Sequence, residues 1–114
     1  MSSRASDRVS TEERLDLLFH ALADGTRRAL LARLARRPAK ITDLAEPFDM
    51  SLPAVSRHIR VLERARLVRR TVNGRVHRCE LAVVPLKTVD AWLEHYRRFW
   101  QDTLESLADF VERG

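Results

Sequence analysis

Apolar residues recur at helical spacing in four early stretches, give way to a short β-type segment, and return to helical spacing over a long final stretch. In the first, Leu15, Leu18, Phe19 and Leu22 stand at i, i+3, i+4 and i+7, which predicts a helix capped by Thr11 and running to about Ala23. Glu12 and Glu13 sit in its first turn, where the helix dipole favours acids. Asp24 caps a second helix, Gly25 to about Arg37, that buries Ala29, Leu30 and Leu34, with Leu31 beside them, and Pro38 ends it. Thr42 caps a short third helix, Asp43 to about Phe48, with Leu44, Ala45 and Phe48 turned inward. Asp49 and Met50 form a tight connection to the fourth.

That fourth stretch, Ser51 to Ala65, organises the rest. Ser51 is a good N-cap, and Pro53 is tolerated in a first turn whose amides have no helical partner. At about 100° per residue, Leu52, Val55, Ile59 and Leu62 fall on one stripe. The opposite stripe carries Pro53, Arg57, Arg60 and Arg64, flanked by Ala54, Ser56 and His58. One face is therefore core. The other offers guanidiniums suited to phosphates or to guanine edges, behind a first turn slim enough to enter a groove.

After Arg66 the periodicity changes. Leu67 to Val72 is β-prone, Asn73-Gly74 is a strong hairpin signal, and Arg75 to Leu81 reads as the returning strand. Pairing across Asn73-Gly74 sets Val72 opposite Arg75, Arg70 opposite His77 and Val68 opposite Cys79. A short helix, a turn, a basic-faced helix and a basic hairpin together predict a winged helix-turn-helix, mainly α, with about five helices and two strands. Arg75 at the hairpin tip could reach into a minor groove.

The last stretch predicts a helix from about Leu86 to Glu112, with Pro85 near its start and a length of about 40 Å. Leu86, Val89, Leu93, Tyr96, Trp100, Leu104, Leu107 and Val111 recur in steps of three and four, and Trp92, Phe99 and Phe110 widen the stripe. A domain this small cannot cover so long an apolar face, so a second copy is expected to. Residues 1–10 read as a flexible terminus, 11–114 as one domain, and 85–112 as its dimerisation helix.

Charge sharpens the picture. The 114 residues carry a net +5, and 19 of the 21 basic residues are arginine. Residues 57–78 hold eight Arg against one acid, Glu63, while the flanking segments are close to neutral or acidic. So local a footprint favours nucleic acid over a general solubility charge. No apolar run reaches membrane-spanning length and residues 1–10 lack a signal-peptide core, so a cytoplasmic protein with no membrane partner is expected. No Gly-rich phosphate loop, paired carboxylates or nucleophile–base set appears, so no catalytic residue is assigned and no enzyme is expected. The lone Cys79 excludes an internal disulfide framework and has two readings. It is either a small buried hydrophobe or, among its arginine neighbours, a thiol sensor.

Taken together these segments resemble the ArsR-type winged-helix transcriptional repressors, from about Leu17 to Leu107. Ala21-Leu22-Ala23-Asp24-Gly25-Thr26-Arg27-Arg28 is similar to the family's ALADPTRR, with Gly25 where Pro is usual. Asp43-Leu44-Ala45 resembles the start of its DLA helix, and the Ser51 to Leu62 run its SxxAVSRHLKVL recognition helix. Ala65-Arg66-Leu67-Val68 corresponds to its AGLV, and Gly74-Arg75 to the wing's glycine-arginine.

The resemblance implies a homodimer joined through the first and last helices, with Leu15, Phe19, Leu93, Tyr96, Trp100, Leu104 and Leu107 at the interface. It implies a double-stranded operator read by Ser51, Pro53, Ala54, Ser56, Arg57, His58, Arg60 and the wing's Arg75. Metal-responsive relatives use a CxC pair near the DLA helix, where this chain has Lys40-Ile41-Thr42-Asp43. Others use ligands on the last helix, where His95 stands among acids without the two-His spacing. The chain thus resembles the subgroup without a recognised metal, and neither metal nor cofactor is expected. Two alternatives remain at this point: a metal- or thiol-responsive sensor, and a winged helix used for protein assembly.

Overall fold

The computed structural model of the chain describes residues 10–113, and its first described residue is already a helix cap. The Glu13 amide donates to Ser10 Oγ at 3.1 Å, so the cap falls one residue before the expected Thr11. The rest of the segment expected to be flexible lies outside the described residues. Helix α1 runs Thr11–Leu22 and α2 runs Gly25–Arg36, with Asp24 capping α2 as the sequence predicts. Leu30, Leu31 and Leu34 are buried on α2. Ala29, expected inside, faces solvent one position off that stripe.

Pro38 does more than end α2. It is followed by a two-residue strand, β1 (Ala39–Lys40), which pairs antiparallel with the wing through Ala39↔Cys79 and Lys40↔Arg78. Two residues are too few to show an alternating pattern, which is why the sequence did not reveal this strand. The short helix α3 (Ile41–Ala45) begins directly after it, capped by Lys40 without a side-chain bond, so Thr42 lies inside the helix instead of capping it. A 3₁₀ turn, Glu46–Phe48, replaces the expected α-helical end, with Pro47 inside it. Asp49 at φ 50° closes that turn in the left-handed region.

Helix α4 (Leu52–Arg64) is capped by Ser51, whose Oγ accepts from the Ala54 amide at 3.3 Å. Val55, Ile59 and Leu62 are fully buried. Leu52, placed on the core stripe by its spacing, is 44% exposed as the first residue of the helix, at the edge of the core. The helix ends in two capping bonds: the Arg66 amide to the Glu63 carbonyl at 2.9 Å, and the Leu67 amide to the Leu62 carbonyl at 2.9 Å. This is the Schellman arrangement, and its left-handed residue is Arg66 at φ 61°, where glycine is usual. A left-handed L-residue costs about 1–2 kcal/mol.

The wing is β2 (Val68–Asn73) and β3 (Val76–Leu81). Its register is Asn73↔Val76, Val72↔His77, Arg70↔Cys79 and Val68↔Leu81, two residues from the expected pairing. The turn residues are Gly74 and Arg75 rather than Asn73 and Gly74. Gly74 at φ 64° supplies the positive dihedral that such turns need at their first position. A shift of two conserves the faces, so Val68 and Cys79 still point inward and are buried.

The core joins Leu18, Leu30, Leu44, Val55, Ile59, Leu62, Leu67 and Cys79 from almost every element, each almost wholly excluded from water. Burying each large aliphatic side chain contributes about 1.5–3 kcal/mol. The last helix, α5 (Val84–Arg113), starts two residues before its predicted start and is only partly covered. Val89 is buried and Trp92 half-buried against α1, where the Phe19 and Trp92 rings meet edge-on at 5.2 Å. Beyond Trp92 nearly every residue of α5 is exposed, including Leu93, Tyr96, Trp100, Leu104 and Leu107. Leu15, expected on the same interface, is instead 4% exposed and packed within its own chain.

Candidate nucleic-acid interface

With Val55, Ile59 and Leu62 fixed in the core, helical geometry turns Pro53, Arg57 and Arg60 outward. Leu52, Pro53, Ser56, Arg57 and Arg60 together line one shallow open depression on the N-terminal half of α4. Ser51 is exposed beside it, and Ala54 is half-buried. Arg75 is exposed at the wing tip. The structure therefore gathers the predicted side chains of α4 on one surface and holds Arg75 on a separate projection.

His58 departs from this group. It is half-buried, and its Nδ1 lies 3.3 Å from the Arg27 guanidinium. Arg27 also donates to the Ala21 carbonyl at 2.9 Å and the His20 carbonyl at 2.8 Å, and stands 4.0 Å from the Asp24 carboxylate. One guanidinium thus closes the end of α1, the start of α2 and the flank of α4 against each other. Sequence reasoning gave Arg27 no role. The available signal was an arginine three residues after a capping Asp, able to serve both that cap and the carbonyls ahead of it. The Asp24 carboxyl is held below its ordinary range, first because it accepts the Arg27 backbone amide at 3.0 Å.

Not all of the basic block is available to a polyanion. Arg70 pairs with Glu63 at 2.6 Å and Arg69 with Glu80 at 3.3 Å. Arg57, Arg60, Arg64, Arg66, Arg75 and Arg78 take part in none of the ion pairs formed among the described residues. Arg70 is the internal member, 14% exposed, with its other nitrogen 3.3 Å from His77 Nδ1.

Cys79 is fully buried, and burial raises its pKa against the opposing pull of Arg70. Desolvation outweighs the neighbouring guanidinium, so the thiol stays protonated and shielded, as a core residue does. The sensor reading of Cys79 required exposure and a lowered pKa; neither holds. Among the described residues no three His, Cys, Asp or Glu side chains come together, and no helix is long and apolar enough to cross a membrane.

Comparison with known proteins agrees with this geometry. Residues 22–71, from the end of α1 into the wing, match the family model of a helix-turn-helix domain. Over 104 residues the chain is 38% identical to the HTH-type transcriptional regulator Rv2034 of Mycobacterium tuberculosis, covering 91% of this chain and 94% of the relative. A solved ArsR family transcriptional regulator, RHA00566, is 42% identical and superimposes with a TM-score of 0.76, covering 82% of this chain and 97% of that one. An ArsR-like regulator from Rhodococcus sp. RHA1 is 28% identical with a TM-score of 0.72, covering 87% and 93%. A winged helix-turn-helix of this form defines a transcriptional regulator with a DNA-binding domain. The chain belongs to the ArsR family of these regulators.

Proposed function

We propose that the chain acts as a homodimeric repressor in the cytoplasm, binding a pseudo-palindromic operator without the help of a metal or cofactor. The observation that carries this reading is the depression on α4, where Arg57 and Arg60 form no ion pair among the described residues and stand beside slim residues of the first turn. Ser51, Pro53, Ala54, Ser56, Arg57 and Arg60 enter the major groove, and Arg75 follows the minor groove alongside. His58 holds the flank of α4 through Arg27 and reaches the DNA only at its edge.

Residues 11–114 work as one unit in this reading, and 85–112 form its dimerisation helix. The exposed side chains of Phe19, Leu93, Tyr96, Trp100, Leu104 and Leu107 pack against their copies, because an apolar face of this length is costly in water. Leu15 supports that surface from within. The dimer then presents two α4 helices to grooves about 34–36 Å apart. The reading assigns the chain no catalytic step.

The test is an anisotropy titration of the full chain on duplex DNA from upstream of its own gene and on a scrambled duplex, at two salt concentrations, with and without chelator. Tight binding that prefers the upstream duplex, weakens steeply with salt and ignores chelator is expected. Weak, salt-insensitive binding to both would favour a protein-assembly role for the same fold. Binding that changes on chelation would favour a metal sensor.

A further inference from the structure

A second concavity lies at the C-terminal end of α4. It is a cleft of about 350 Å³ walled by α1, the end of α4, the start of β2 and the first turn of α5. That volume is within the range of small-molecule sites. Its lining combines apolar side chains, Leu17 and Val84 among them, with an arginine rim of Arg14, Arg64, Arg66 and Arg69. Among the described residues no Asp or Glu lines it.

Three features set this cleft apart from an ordinary solvated surface. Of its four guanidiniums only Arg69 has a carboxylate partner among the described residues, and that pair is exposed and screened. Four like charges around one apolar hollow repel each other, a repulsion that a bound anion relieves. Secondly, Arg66 is placed on the rim by the left-handed dihedral that closes α4. Glycine would hold that turn without strain, so the chain carries a strained residue where its side chain meets the cleft. Thirdly, the cleft's wall on α1 turns away from the exposed Phe19 ring: Leu17 stands about 160° around α1 from Phe19.

We propose that this cleft binds an amphiphilic organic anion: a carboxylate held by the arginine rim, with an apolar tail over Leu17 and Val84. Arginine is suited to the head group because its planar fork matches a carboxylate bidentately. The site does not depend on DNA binding. Its consequence for DNA does rest on the proposed operator function. Arg64 lies one helical turn beyond Arg60 on the same stripe of α4, so an anion that engages Arg64 withdraws positive charge from the DNA-facing surface and lowers operator affinity.

The probe is octanoate, with octan-1-ol as its uncharged counterpart, titrated by calorimetry into the full chain without DNA. One saturable site per chain is expected, with octan-1-ol weaker by tenfold or more, since a charged hydrogen bond to a guanidinium is lost. Arg66→Gly removes the side chain while relaxing the backbone, so the variant folds at least as stably as the parent. It is expected to bind octanoate about tenfold more weakly. No saturable octanoate binding, equal binding of acid and alcohol, or unaltered binding by Arg66→Gly would overturn the proposal. Loss of DNA affinity in Arg66→Gly without octanoate, with a shallower salt slope, would overturn it too, by assigning the rim to the phosphate backbone. DNA binding that octanoate leaves untouched, beside a normal octanoate isotherm, would overturn the regulatory link while the site stands.

Discussion

Glu63 accepts a 2.6 Å hydrogen bond from Arg70, joining the last turn of α4 to the first wing strand. Glu63 is the one acid in the basic block from residue 57 to residue 78. It therefore does not simply dilute the block's charge. It holds Arg70, whose Nε is buried without a hydrogen-bond partner among the described residues, at the junction between recognition helix and wing. Glu63→Gln is expected to lower stability by about 1–3 kcal/mol, because a largely buried guanidinium loses its counter-charge. The check is urea unfolding of parent and variant. An unchanged midpoint would mean that the pair does not hold the junction.

Asp24 gives a pH-dependent prediction. Its carboxyl is stabilised as the anion in the folded chain, chiefly by the Arg27 backbone amide. A folded-state pKa below the unfolded one adds stability above the unfolded pKa, and that stability disappears as pH falls through the folded pKa. Asp24→Asn keeps a capping oxygen and loses the charge. The parent is expected to be the more stable at neutral pH, with the difference vanishing towards strongly acid pH. Asp24→Ala, which removes the cap, is expected to cost about 1 kcal/mol. A parent–Asn gap that widened on acidification would contradict this account of the cap.

The apolar face of α5 predicts assembly. Leu104 is 62% exposed in the single chain, so it contributes little to that chain's own folding. Leu104→Glu is expected to shift the protein from dimer to monomer in analytical ultracentrifugation, since an unpaired charge at an apolar interface is expensive. Helicity at low concentration should stay close to that of the parent. A variant that remained dimeric would move the interface elsewhere.

Arg57 forms no ion pair among the described residues and points away from the core. Arg57→Ala is expected to reduce binding to the operator by about 1–3 kcal/mol, and binding to random duplex by less, if it reads a guanine. Competition titrations measure both. Equal losses would make it a phosphate contact.

The recognition helix was legible because one stretch carries its cap, its core stripe and its basic stripe in full. The wing was legible as a hairpin but not in register, since Asn73-Gly74 and Gly74-Arg75 both offer a glycine turn and only the pairing with β1 and the core selects between them. β1 itself and the 3₁₀ turn at Pro47 are too short to leave a pattern. Charge counting alone did not separate Arg70, held by Glu63, from the free arginines, because that distinction depends on contacts between helix and wing. Likewise His58 sits at a suitable angle on the helix, yet Arg27, 31 residues earlier, draws it inward.

Two copies of α4 reading a symmetric site can be tested by selecting duplexes from a random pool with the 114-residue chain. Enrichment of an inverted repeat with half-site centres about 10 base pairs apart, or a multiple of that spacing, is expected. Enrichment of a single half-site would contradict the paired reading, and a pool that stayed random would contradict sequence-specific binding altogether.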